Sequence, residues 1–100
     1  MSGVKMKGIQ LDLTGCKGYY ELHERIRQAF NFPNFYGHNW SAFWDFLWSE
    51  CDADRVEITG EGTLPGYFKK DLAKLHEILE RKIEFRKQFH FAPFLYQVIS

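Results

Sequence analysis

Residues 55–99 read RVEITGEGTLPGYFKKDLAKLHEILERKIEFRKQFHFAPFLYQVI, and the division of this stretch decides the fold class. At its start Val56 and Ile58 alternate with Arg55, Glu57 and Thr59, the period-two pattern of a strand with one face in a core. Gly60, Gly62, Pro65 and Gly66 then mark a loop. From Phe68 the apolar period changes. Phe68, Leu72, Leu75, Leu79 and Ile83 recur every three or four residues, the stripe of an amphipathic helix. Arg81, Lys82, Arg86 and Lys87 gather toward its end, where cations suit the helix dipole. Phe91, Ala92 and Pro93 break it, and residues 94–99, FLYQVI, form another strand. Strand, long helix and strand make a crossover unit, which favours parallel strands joined right-handedly.

The N-terminal half extends the same pattern. Residues 7–13, KGIQLDL, alternate Ile9, Leu11 and Leu13 with polar positions and predict a strand. Residues 14–18 are turn material with two glycines. Residues 19–30 place Tyr19, Leu22, Ile26, Ala29 and Phe30 on one side of a helix. Asn31, Phe32, Pro33 and Asn34 stop it, because proline cannot continue a helix and restricts the residue before it. After the connector Phe35-Tyr36-Gly37-His38, Asn39 is an N-cap for a second helix running to about Glu50. The order is strand, helix, helix, strand, helix, strand. It predicts an α/β fold of two layers: a three-stranded parallel sheet with helices packed mainly on one face. The length of 100 residues fits one domain over residues 1–100.

Composition narrows the function classes. With 45% hydrophobic residues and no net charge, the chain lacks the signature of disorder. No apolar run approaches the roughly 20 residues of a membrane span. Residues 1–10 mix Lys, Gly and Gln without an apolar core, so no secretory signal is visible and a cytoplasmic protein is expected. Cys16 and Cys51 have no metal spacing. They read as reduced, buried thiols, with a structural disulfide as the alternative. Charge is segregated along the chain: residues 31–62 hold Arg55 against Asp45, Glu50, Asp52, Asp54, Glu57 and Glu61, flanked by basic thirds. If that acidic middle lies on one face, it attracts basic partners and repels nucleic acid.

The second helix carries the functional signal. At about 100° per residue, with Ser41 at the origin, Trp44, Trp48 and Asp45 cluster around Ser41. Trp40, Ala42, Phe43, Phe46 and Leu47 spread over the opposite side as a core face. A helix that needed only solubility would show Lys and Glu outward. Exposed Trp beside a carboxylate is typical of a protein-binding patch. The competing reading packs Trp44 or Trp48 under a neighbouring helix or connector.

Residues 19–50, YYELHERIRQAFNFPNFYGHNWSAFWDFLWSE, resemble the barstar family of ribonuclease inhibitors. The family pattern runs D-L-H, a helix, then L-P-x-Y-Y-G-x-N-x-D-A-L-W-D. Here Glu21-Leu22-His23 is followed by Phe32-Pro33-Asn34-Phe35-Tyr36-Gly37-His38-Asn39-Trp40-Ser41-Ala42-Phe43-Trp44-Asp45. The resemblance implies a compact three-stranded fold and an intracellular inhibitor that plugs the active site of a secreted, basic ribonuclease. Carboxylates of such an inhibitor stand where the enzyme expects an RNA phosphate, and its cationic side chains bond to them. By the resemblance, Asp45 matches the central phosphate-mimicking acid, Trp44 the aromatic beside it, Asn39 the helix-entry contact and Gly37 a close backbone approach. Phe35 stands where the family has a tyrosine and Ser41 where it has a second acid. Glu50 replaces a tryptophan. Glu77 on the long helix matches a peripheral acid. Trp48 joins this set from its place on the outward side.

Rival classes fit less well. An enzyme needs convergent acid–base groups, and His23, His38, His76 and His90 are scattered. His38 near Asp45 could be imagined as a pair, yet nothing supplies a nucleophile. His23 at helical spacing reads as a packed histidine. No metal-ligand cluster or cofactor motif is seen. The basic end of the long helix, with Phe85, Phe89 and Phe91, reads as a solvated helix end rather than a nucleic-acid surface. The runner-up is a protein-interaction module, or an immunity protein against a toxin that is not a ribonuclease. A monomer is expected, with the oligomeric state left open.

Overall fold

The computed structural model describes residues 8–51 and 53–99. Its elements are β1 (Gly8–Asp12), α1 (Tyr19–Phe30), α2 (Trp40–Ser49), β2 (Arg55–Thr59), α3 (Lys69–Gln88) and β3 (Leu95–Val98). Two short 3-10 turns, Glu61–Thr63 and Gly66–Phe68, occupy the loop before α3. Lys7, expected to begin the first strand, and Asp52 of the acidic middle lie outside the described residues.

The three strands form one parallel sheet in the order β1-β2-β3. Strands laid down in a single direction and joined by right-handed crossovers receive every helix on the same face. The register bears this out. Ile9, Val56 and Tyr96 align in one row, and Leu11, Ile58 and Val98 in another. Leu11, Val56 and Ile58 in these rows are fully buried beneath the helices. The opposite face carries Gln10, Asp12, Arg55, Glu57, Thr59, Leu95 and Gln97 and lies open. The fold is therefore the expected two-layer α/β arrangement.

The core runs from the covered sheet face to the inner sides of α1, α2 and α3. It includes Leu22 and Ile26 of α1, Phe43 and Leu47 of α2, and Leu75, Ile78 and Leu79 of α3. Each fully buried side chain of this size contributes about 1.5–3 kcal/mol. The expected stripe of α3 is present, with Ile78 and Lys82 as additional buried positions.

Helix ends show how local sequence sets the boundaries. Asn31 sits in the left-handed region at φ 59°, and the N–H of Phe32 returns to the carbonyl of Arg27 at 2.9 Å. His90, also at φ 59°, ends α3 in the same way, with the Phe91 N–H bonded to Arg86 at 2.9 Å. In both cases the left-handed residue stops the helix, and the proline downstream only prevents its renewal. Gly60 has φ 84°, and a side chain there would overlap the backbone of Thr14. Only glycine suits that position. Cys16 is buried, Cys51 half-buried, and both are free thiols. Among the described residues no helix is long and apolar enough to cross a membrane.

Candidate functional site

Helix α2 enters on Asn39. Its Oδ1 accepts from the Ala42 N–H at 2.7 Å, while Nδ2 donates to the Gly37 carbonyl at 3.0 Å. One side chain thus caps the helix and ties it to the connector. From that start Phe43 and Leu47 drive into the core and are fully buried. Trp40, Ala42, Trp44 and Phe46 pack partly buried against it. These anchors fix the rotation of the helix. Turning α2 by one residue would carry the Asp45 carboxylate onto the half-buried flank held by Trp44 or Phe46 and lift Leu47 out of the core, and desolvating an unpaired charge while exposing apolar surface is unfavourable. Ser41, Asp45 and Ser49 are left exposed in one row.

The indoles behave differently from the helical-wheel expectation. Trp44 and Trp48 pack on each other with ring centroids 5.1 Å apart and planes tilted by 59°. Trp48 meets Phe85 of α3 edge to face at 4.6 Å. Its indole N–H is buried and has no hydrogen-bond partner among the described residues. Trp48 therefore packs against α3, as the competing reading has it, while Trp44 leans on Trp48 and stays half-exposed along the space between the two helices. The wheel shows only the angle around α2 and cannot show that α3 passes alongside.

Between α2 and α3 lies an open groove of about 530 Å³, lined by Trp40, Ser41, Trp44, Asp45, Lys74, Glu77, Ile78 and Arg81. It brings together Ser41, Trp44, Asp45 and Glu77. A second groove of about 630 Å³ continues past Trp44 and Trp48 along Glu77, Arg81 and Phe85. Phe35, Gly37 and Asn39 precede α2 and do not line either groove. Phe35 is 79% exposed, with its ring 5.9 Å from that of Phe46. Adding a Cβ to Gly37 would crowd Ala42 and Asn39, each at 3.3 Å. Glu50 is exposed at the end of α2, away from the grooves.

The groove's charge is balanced rather than acidic. Lys74 and Arg81 approach Glu77 at 3.7 and 3.2 Å. Both cations were legible only as part of α3's basic character, although positions 74, 77, 78 and 81 share one helical face. Asp45 differs from Glu77: among the described residues no side chain bonds or pairs with its carboxylate. The acidic middle of the sequence does not form one face. Glu57 points to the open sheet face beside Gln10, and Glu61 pairs with His76 at 2.6 Å.

A polar core network supports the connector. His23 is fully buried, and its Nδ1 lies 2.7 Å from the Tyr36 hydroxyl. Burial holds His23 neutral, with its pKa pushed down to about 4, and raises that of Tyr36. His38, in the left-handed region, pairs with Glu24 at 2.8 Å and stacks on Tyr20 at 4.3 Å, not with Asp45. Arg27 and His38 hold the Glu24 carboxyl low, at about 2. Lys82, also buried, donates to the Leu47 carbonyl at 2.9 Å and so ties α3 to the end of α2. Neither Glu24 nor Lys82 stood out in the sequence, because both are ordinary helix-surface residues by type. Among the described residues no three His, Cys, Asp or Glu side chains are placed to hold a metal.

Comparison with known families gives a match over residues 6–91 to the family described as Barstar (barnase inhibitor). Comparison with curated proteins gives no match.

Proposed function

The chain belongs to the barstar family, and from that premise we propose that it is a cytoplasmic inhibitor that binds and blocks the active site of a basic, barnase-type ribonuclease. Asp45 is the acid that enters the enzyme's phosphate site. Trp44 and Trp48 supply the apolar wall behind it, and Glu77 a peripheral contact. Phe35, Gly37, Asn39 and Ser41 form the rest of the contact surface. The observation that carries this reading is the state of Asp45: exposed, at the mouth of a groove, and without a partner of its own. A carboxylate held ready by a rigid helix needs little reorganisation to meet Arg, Lys and His side chains.

Ser41 and the groove cations Lys74 and Arg81 favour a second reading, an immunity protein whose toxin has a less cationic active site. The test is titration of a barnase-type ribonuclease with the purified chain, following RNA hydrolysis. Stoichiometric loss of activity supports the ribonuclease reading. Undiminished hydrolysis at a large excess of the chain rejects it.

A further inference from the structure

The outer side of β3 carries backbone groups that no other described residue pairs with. Leu95 and Ile99 donate their N–H groups across to the carbonyls of Asp54 and Ile58, at 3.0 and 2.8 Å. Along a strand successive residues turn their backbone groups to opposite edges, so Tyr96 and Val98 direct theirs away from β2. β3 is terminal in the sheet, and among the described residues no strand pairs with that side. Free edges are ordinarily guarded by a charge, a proline or a bulge. Residues 94–99, FLYQVI, contain neither a charge nor a proline. Instead Leu95 and Ile99 are about half exposed, and Val98 is 40% exposed.

We propose that β3 pairs antiparallel with β3 of a second copy of this chain, joining two three-stranded sheets across a two-fold axis. The free backbone groups limit the register to pairings in which Tyr96 and Val98 face the same two residues of the second copy, and the side chains choose among these. In the favoured one Tyr96 exchanges hydrogen bonds with Val98 of the second copy, which sets Gln97 against Gln97 of the second copy on the axis. Leu95 then lies opposite Ile99 of the second copy on the open face. Tyr96 and Val98 of the second copy meet on the helix-covered face. Every cross-strand pair is apolar, apart from the two facing amides. Sliding the pairing by two residues sets Leu95 or Ile99 against Gln97 and loses the match. This self-complementarity singles out a copy of the same chain over a foreign strand. None of these residues lines the α2–α3 groove, so inhibition and self-association are separable.

The test is sedimentation of the full chain under reducing conditions, from about 10 µM to about 1 mM. The mean mass of the parent should rise with concentration from 11.9 kDa toward twice that value. Gln97→Lys and Gln97→Glu should each stay at the monomer mass, because each sets like charges face to face on the axis. Mixed in equal parts, the two variants should associate again, since Lys now faces Glu. Gln97 is exposed and its backbone bonds are untouched; because Glu57 of β2 is its neighbour in the sheet, the thermal transition at low concentration should stay at or slightly above the parent's in Gln97→Lys and fall slightly in Gln97→Glu, with both chains folded. A parent that stays monomeric at about 1 mM overturns the proposal. So does a Gln97→Lys chain that still dimerises, or a mixture that does not.

Discussion

Replacing Asp45 by Ala separates binding from stability more sharply than any other change in the groove. The side chain is exposed and makes no bond within the described residues. Its removal should therefore shift folding stability by no more than about 0.5 kcal/mol. The sign can even be favourable, because Ala is the better helix former by up to about 0.7 kcal/mol. Binding should respond very differently. A carboxylate in the enzyme's phosphate site accepts charge-assisted bonds worth roughly 1.5–3 kcal/mol each. Its loss also strands the cations that faced it. The expected cost is about 2–5 kcal/mol, a 30- to 5000-fold rise in Kd. Asp45→Asn keeps the shape and removes the charge, and should fall on the same side. Calorimetric titration against a barnase-type ribonuclease reads the binding term, and urea unfolding reads the stability term. Association of the parent should slow as salt rises, and that of Asp45→Ala less so. Binding by Asp45→Ala within about threefold of the parent would refute the reasoning. A stability loss as large as the binding loss would refute it as well.

Other changes test the surroundings of the same carboxylate. Arg81→Ala removes a cation that pairs with Glu77 at 3.2 Å. The exposed pair is worth little, so removing one of the two groove cations, with Lys74 still beside Glu77, should tighten the complex by about 1 kcal/mol, or fivefold; weaker binding in the same titration would show that Arg81 itself meets an acid on the partner. Ser41→Asp restores the second acid implied by the family pattern in the first turn of α2. The dipole should offset its repulsion from Asp45, leaving stability within about 0.5 kcal/mol, while inhibition strengthens about tenfold or more; unchanged inhibition constants would place position 41 outside the contact. His23 has a folded pKa of about 4, below its unfolded value, so the unfolded chain takes the proton first. Its contribution is complete above pH 6.5 and is lost as pH falls toward 4, by about 2–3 kcal/mol. Urea unfolding at intervals across that window should show the slope in the parent and its removal in His23→Gln; equal slopes in the two chains would contradict the assignment.

Much of the fold was written in local periodicity, because each element carries its own pattern. The bounds of α1 and β2 agree with the sequence reading residue for residue. Differences arise where tertiary contacts decide. Leu13 leaves the strand proper, yet its N–H still bonds to Thr59. The loop after β2 folds into two 3-10 turns, so α3 begins at Lys69 rather than Phe68. Lys82 looked like dipole-compensating surface charge; its burial follows from α2 ending directly beside it, where free carbonyls need a donor. His23 read as packed, and it is. Its partner Tyr36 lies 13 residues away, beyond the reach of any helical pattern.

The site was legible as residues but not as a field. Charge along the sequence predicts charge in space only when neighbours in sequence stay on one face, and the acidic middle is cut by α2, a loop and β2 into different faces. What surrounds Asp45 comes instead from α3, some thirty positions downstream, which delivers Glu77 together with the cations that neutralise it. Long-range attraction of a basic enzyme is then weak, since the four groove charges largely cancel beyond a Debye length. Under the proposed function, short-range recognition then falls to Asp45, whose carboxylate stays out of that network. Affinity in this protein should therefore reside in the lifetime of the complex more than in the speed of its formation. Raising salt should alter the association rate of this chain less than substitution of Asp45 alters its dissociation rate, and stopped-flow measurement of both rates decides whether that order holds.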